Sequence, residues 1–370
     1  MAFSVPCLLG MEGFIADELR SLEAEDVRAE NGRVLFRGGE EMLARVNICS
    51  RFSERVLILI GEFEAHSFEE LFHGARALPW EEWIGREDAF PVKGYSLKSD
   101  LFSVRDCQSI IKKAVVERLK GKYSIEWFEE SGAVRQIQFA IMQNRVSLFI
   151  DTTGAGLHKR GYRPEAKEAP IKETLAAALC AASKLRPYHT LYDPMCGSGT
   201  IAIEGALMAR NIAPGLRRSF AAERWEQIPR ELWRLERERA KDLERPASDF
   251  AAFGSDISPE AVTLARETAA RAGVGDCVSF ELRALEDFSP STERGTVICN
   301  PPYGERLLDL EQARELCRVM GRVFPQRRGW SYSVITPDAD FEKDFGRKAD
   351  KRRKLYNGMI PCTVYMYYKA

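Results

Sequence analysis

The chain of 370 residues predicts an α/β fold, a doubly wound sheet over its second half with a smaller α+β part in front of it. Three observations carry this. From residue 170 onward, helical and strand-like apolar spacing alternate, the pattern of a parallel sheet with helices on both faces. Earlier, Ile137, Phe139 and Ile141 alternate, Gln143-Asn144 supply a turn, and Val146, Leu148 and Ile150 alternate again, which predicts a hairpin. Between these regions, 151–164 runs from glycine-rich through basic to Pro164, the sharpest shift in composition along the chain.

The elements follow in order. Phe14, Leu19 and Leu22 predict a helix over 13–22, with strand-like runs at 33–36 and 55–60. Ser103 can cap a helix with Asp106 as its capping-box partner, and Ile110, Ile111, Ala114, Val115 and Leu119 share one face of it. In the second half, helices are expected at 172–185, 198–210, 259–272 and 310–323. Strands are expected at 190–192, 252–255, 277–281, 296–299 and 331–335, with a last pair near 353–368. The stretch 219–246, dense in Arg, Glu and Trp, interrupts the alternation. It reads as an inserted helix with a solvated, ion-paired face rather than an RNA-binding surface.

Composition excludes several classes. The net charge of −1 means that a nucleic-acid partner must be met by local basic patches. Nine scattered cysteines without a CxxC pair and four histidines suggest neither a disulfide framework nor a metal site. The amino terminus has no signal-peptide pattern, and the longest apolar run, 56–60, is too short for a bilayer, so a cytoplasmic protein with no membrane partner is expected. The sequence sets no oligomeric state.

Chemistry concentrates in the second half. Asp193-Pro194-Met195-Cys196-Gly197-Ser198-Gly199-Thr200 stands between a strand and a helix. Gly197 and Gly199 let backbone approach a ligand, and the helix behind them offers free N–H donors. A plain strand–turn–helix corner has the same letters. Asp256 adds weight: it closes a strand, precedes a helix capped by Ser258 with Pro259 at its first position, and can accept both ribose hydroxyls of a nucleoside cofactor, with Ile257 beside it. Asp287 follows the next strand, where it can meet an adenine amino group or simply be solvated.

Asn300-Pro301-Pro302-Tyr303 is the most specific signal. Two prolines fix the backbone after an apolar strand and leave acceptors pointing outward, the Asn300 side-chain carbonyl and the Pro301 backbone carbonyl; Tyr303 adds a flat face. Two acceptors on the two hydrogens of an aromatic amine free the nitrogen lone pair for attack on a methyl sulfonium, with the base held out of its stack. The predicted catalytic group is therefore residues 300–303. The predicted cofactor set is Asp193, Pro194, Cys196, Gly197, Gly199, Thr200, Asp256, Ile257, Asp287 and Asn300. The predicted RNA contacts are Lys159, Arg160 and Arg163 of the linker and Lys351, Arg352, Arg353, Lys354 and Tyr356 near the carboxy end, with a solvated basic loop as the even alternative.

In this order the motifs resemble the THUMP-domain class I RNA methyltransferases, nearest the bacterial 23S ribosomal RNA guanine-N2 group once described as N6-adenine-specific DNA methylases. The resemblance rests on the linker Asp151-Thr-Thr-Gly-Ala-Gly-Leu-His-Lys-Arg-Gly-Tyr-Arg163, the Asp193–Thr200 loop, Arg210-Asn-Ile-Ala-Pro-Gly-Leu216, Asn300-Pro-Pro-Tyr-Gly-Glu-Arg306 and Lys354-Leu-Tyr-Asn-Gly358, and covers nearly the whole chain. It implies a ferredoxin-like segment (1–60), a THUMP RNA-binding domain (61–155), a linker (156–170) and a Rossmann-like seven-stranded methyltransferase domain (171–370). It further implies S-adenosylmethionine as cofactor, with Asp193 and Gly197 at its methionine end and Asp256 on its ribose. Arg283-Ala284 stand where many methyltransferases place an acid. The implied reaction is methylation of an exocyclic base amine, foremost guanine N2 in large-subunit ribosomal RNA, with tRNA guanine N2 and adenine N6 of DNA or RNA as alternatives. No DNA-reading motif supports a DNA enzyme. Ala202 in place of the third loop glycine disfavours a nicotinamide oxidoreductase, and the intact acceptors at Asn300 disfavour a non-catalytic binder.

Overall fold

The computed structural model describes residues 1–163, 170–245, 249–303, 310–324 and 328–368, arranged on two seven-stranded sheets. The first sheet draws on β1 (Ala2–Pro6), α1 (Glu12–Ser21), β2 (Glu25–Glu30), β3 (Arg33–Arg37), α2 (Glu40–Cys49), β4 (Leu57–Glu64), α3 (Phe68–Ala77), β5 (Val92–Leu97), α4 (Val104–Tyr123), β6 (Ile137–Met142) and β7 (Arg145–Asp151). Its strand order is β2-β3-β1-β4-β7-β6-β5. β4 pairs with β1 on one side and β7 on the other. The expected boundary between 1–60 and 61–155 thus falls inside a strand of one continuous sheet, because a central strand needs a partner at each edge. The predicted hairpin is β6–β7; Gln143 and Asn144 both take positive φ (51° and 65°), as a two-residue turn that follows strand twist requires. Ser103 caps α4 by accepting the Asp106 N–H at 3.4 Å.

The second sheet follows the linker: α5 (Glu173–Ala182), β8 (Thr190–Asp193), α6 (Thr200–Ala209), α7 (Arg230–Asp242), β9 (Ala251–Asp256), α8 (Pro259–Ala272), β10 (Val278–Leu282), β11 (Gly295–Cys299), α9 (Leu310–Val323), β12 (Trp330–Thr336), α10 (Phe341–Phe345), β13 (Lys351–Asn357) and β14 (Ile360–Tyr367). The order is β10-β9-β8-β11-β12-β14-β13, parallel through β12, with β14 antiparallel to both of its neighbours. Every residue of β11 is buried, as expected of a parallel strand covered on both faces. Chain order reverses between β8 and β11, the kind of switch point where ligands bind beyond the carboxyl ends of the strands.

The two halves share a core. One buried cluster joins Phe3, Leu43 and Ile48 of the first half with Leu157, Tyr162, Ile201 and Trp225 of the second; another, rich in aromatics, contains Phe324, Trp330, Tyr332, Phe341 and Phe345. The charged insertion is a helix with the expected solvated, ion-paired face, and it has a buried face as well. α7 does carry exposed ion pairs such as Arg234–Glu238, but it buries Trp233, Glu236 and Ala240. Arg45 of α2 grips the Glu236 carboxylate with both arms, at 2.9 and 3.0 Å. Its amphipathic face docks on the first half, and only the opposite face is solvated. Among the described residues, no helix is long and apolar enough to cross a membrane and no metal-holding cluster of His, Cys, Asp or Glu occurs.

Candidate active site

The turn after β8 is shaped by two glycines with different tasks. A Cβ on Gly199 (φ +77°) would lie 2.5 Å from the Phe280 ring, so this glycine permits close packing at the start of α6. A Cβ on Gly197 (φ +52°) would meet none of the described residues within 4 Å, so among them this glycine faces open space. The turn is pinned to β9: Cys196 donates its N–H to the Ser255 carbonyl (2.9 Å) and Gly197 donates to Asp256 Oδ2 (2.9 Å). Ser258 N–H donates to Asp256 Oδ1 at 3.0 Å, so the carboxylate bridges the turn and the start of α8. Gly199 caps α6 without a side-chain acceptor, which leaves first-turn N–H groups for a ligand.

Asp193 is only 1% exposed. Burial pushes its carboxyl up to about 8; the Met195 N–H opposes that rise and the nearby Asp256 charge adds to it. Ile257 is an apolar side chain 75% exposed next to Asp256. Pro194 lines a recess of about 310 Å³ together with Tyr192, Phe253, Ser255, Arg283 and Phe288. Asp287 ends a short turn (Leu285–Asp287) and is exposed, with its N–H on the Ala284 carbonyl.

β11 lies beside β8 in parallel, Val297 opposite Tyr192, so Asp193 and Asn300 leave neighbouring strand ends. Asn300 Oδ1 is buried and has no hydrogen-bond partner among the described residues. Leaving a buried acceptor unmet costs about 1–3 kcal/mol, so such an atom calls for a ligand. Pro301 is buried, while Pro302 and Tyr303 are half-buried. The Tyr303 hydroxyl accepts a hydrogen bond from Asn357 Nδ2 at 2.5 Å, which ties residues 300–303 to the β13–β14 hairpin. Sequence reasoning quoted Asn357 within a motif and gave it no role. Only the fold brings it to Tyr303, 54 positions away in sequence. The Gly304-Glu305-Arg306 continuation lies outside the described residues.

The predicted RNA contacts divide sharply. Lys159, Lys351 and Lys354 are exposed, and Tyr356 is half-buried. Arg352 is exposed but paired with Glu342, 2.9 Å from Nε. Arg160 cannot serve as expected: it is 3% exposed and spends its guanidinium on the Ser50, Arg51 and Leu157 carbonyls and on Glu204. Arg163 is likewise drawn inward, to the Thr200 hydroxyl, the Ile171 carbonyl and Glu173. Arg353 lies 3.9 Å from the centroid of the Phe14 ring and donates to the Gly10 carbonyl, so it joins the two halves of the molecule. A basic residue read from sequence is assigned to solvent by default; here packing between distant parts of the chain covers three of them, Arg160, Arg163 and Arg353.

Comparison with known proteins decides the family. Residues 160–366 match the RMKL-like methyltransferase domain, residues 2–57 the RlmL ferredoxin-like domain and residues 65–151 the THUMP domain. The chain belongs to the RMKL-like methyltransferase family. This methyltransferase is 42% identical over 366 residues to YpsC of Bacillus subtilis (strain 168), named as a proposed RNA methyltransferase, covering 97% of this chain and 94% of YpsC. It is 33% identical over 380 residues to the ribosomal RNA large subunit methyltransferase K/L of Psychromonas ingrahamii; the match takes in 99% of this chain but only 50% of that protein. A solved structure of SMU.472, a proposed methyltransferase in complex with SAH, superposes with a TM-score of 0.93 at 40% identity, over 100% of this chain and 98% of that one.

The cofactor of the family is S-adenosylmethionine. The described residues fit it: an open cradle at Gly197, a buried acid at Asp193 with the half-buried Asp256 near it, an exposed apolar face at Ile257 and an unmet acceptor at Asn300.

Proposed function

We propose that this methyltransferase methylates an exocyclic amino group of a base in structured RNA, guanine N2 of large-subunit ribosomal RNA. The observation that carries the reading is the buried Asn300 Oδ1, unpartnered among the described residues, at the end of β11 beside the β8 turn. The THUMP match and the names of YpsC and the K/L enzymes support RNA as the substrate. S-adenosylmethionine, when bound, supplies an electrophilic methyl on a sulfonium.

The chain's own residues position the acceptor. Asn300 Oδ1 and the Pro301 carbonyl accept the two amine hydrogens, drawing the nitrogen out of conjugation with the ring so that its lone pair can attack. Tyr303 stacks on the base, and Asn357 sets the orientation of its ring. Burial pushes the Tyr303 hydroxyl up to about 12, so it acts as a neutral surface rather than a base. Burial also raises Cys196 and Cys299, so neither is a thiolate at neutral pH. The nitrogen that Asn300 and Pro301 hold in place would take the methyl that the bound cofactor supplies, and the methylated amine would lose its surplus proton to water.

The test is transfer of labelled methyl to unmodified ribosomal RNA, tRNA and duplex DNA, with the modified nucleoside identified by mass spectrometry. N2-methylguanosine in ribosomal RNA is expected. Transfer to DNA above that to RNA, or no RNA product, overturns the reading; N6-methyladenosine overturns guanine as the target.

A further inference from the structure

β13 and β14 form a hairpin that ends in an apolar tip. Asn357 pairs with Ile360, and Gly358 and Met359 make the turn, with Gly358 at φ +63° as the first position of such a turn demands. Met359 is 93% exposed and Ile360 46%; Pro361 is exposed as well. An isolated exposed apolar side chain needs no explanation, but consecutive ones at a hairpin apex do.

Two further features fix what this tip meets. Asn357, two residues before Met359, holds the Tyr303 hydroxyl at 2.5 Å, so the tip stands at the edge of the space where the target base lands. The stem below carries exposed Lys351 and Lys354, and the charge suits a phosphate backbone. The hairpin is anchored as well: Arg353 is stacked on Phe14, and Leu355 is fully buried.

We propose that Met359 is a wedge that enters the base stack of a paired RNA and fills the gap left by the target nucleotide when it swings toward Asn300. This rests on the proposed function. Removing a base from a helix costs a few kcal/mol of stacking and pairing, and an inserted apolar side chain recovers part of that cost. Asn357 then links insertion to catalysis, because the residue that steers the Tyr303 ring stands on the same turn as the wedge.

The experiment uses the full chain and two RNA probes centred on the nucleotide that the labelled-methyl assay finds modified, one embedded in a duplex and one single-stranded. Met359→Ala is expected to lower kcat/KM on the duplex by about tenfold and to leave the single strand within about twofold, since only the duplex has a stack to open. Met359→Leu, which keeps the apolar bulk, is expected to restore duplex activity. With 2-aminopurine at the target position, the unaltered protein should brighten the duplex probe and Met359→Ala should not. Equal loss on both probes, or undiminished duplex activity of Met359→Ala, overturns the wedge while the proposed function stands. No methylation of RNA by the unaltered protein removes the proposed function and the wedge with it.

Discussion

At the scale of single residues, the site separates binding from chemistry. In the proposed function Asn300 meets the amine and Asp256 the cofactor, so their substitution should fail differently. Asn300→Ala should cut turnover by about 100-fold or more and leave the cofactor Kd within about threefold, since aligned acceptors matter most in the transition state. Asp256→Ala should weaken the cofactor by about 10- to 100-fold, the worth of charged hydrogen bonds lost together with the pin on Gly197. Isothermal calorimetry and single-turnover kinetics distinguish the two patterns. Asp193 adds a pH dependence. Its carboxyl, raised to about 8, is protonated in the free protein at neutral pH. A cationic ligand end set against it drives that proton off, so cofactor affinity should climb as pH rises toward 8 and then level. Calorimetry in buffers of different protonation heat should show proton release, and Asp193→Asn should flatten the profile. Folding feels the opposite sign. The unfolded carboxyl titrates near 3.8, so the folded state holds an extra proton between that value and about 8, and stability declines as pH rises through this window.

At the scale of elements, α6 has two functions. Its start follows the Asp193–Gly199 turn, the proposed cofactor cradle, and one turn further Glu204, fully buried, meets Arg160 (3.5 Å) and the Tyr162 hydroxyl (2.8 Å). Arg160 in turn holds the Ser50 and Arg51 carbonyls at the end of α2. The linker therefore straps the first half to the helix that follows the Asp193–Gly199 turn. Glu204→Ala strands a buried guanidinium and should cost about 3–5 kcal/mol. A lowered urea midpoint reads this, and a midpoint shared with the parent protein would refute the strap. Glu204→Gln, which keeps an acceptor for Tyr162, should recover part of the loss.

At the scale of the whole molecule, the two halves are one body. The main buried cluster crosses the linker, Arg45 and Glu236 clasp α2 to α7, and backbone bonds run from Gly215 to Ile48 and from Ala222 to Thr152. Interfaces between mobile domains are more polar than this. Calorimetry should therefore show a single cooperative transition, and fragments 1–155 and 171–370 expressed alone should be poorly soluble because each exposes a face of the shared core. Two well-separated transitions, or two well-folded fragments, would count against a single body.

Much of this was legible in advance, and for a physical reason. Helix and strand periods, proline and glycine punctuation and capping residues act over a few neighbours, so the second-half sheet, the 143–144 turn, α8 and α9 could be read where they occur. The residues at strand ends, Asp193, Asp256 and Asn300, were legible because parallel α/β sheets put ligands there. Burial was not legible. β4 joining two units, Arg160, Arg163 and Arg353 turned inward, α7 docked on α2, and Asn357 steering Tyr303 all depend on contacts between residues far apart in the chain. The sequence by itself determined which elements form and which groups can react, since both are local. Only the tertiary structure decided which charges are solvated and which are consumed holding the halves together, because desolvation and pairing are set by whatever the rest of the chain places opposite each side chain.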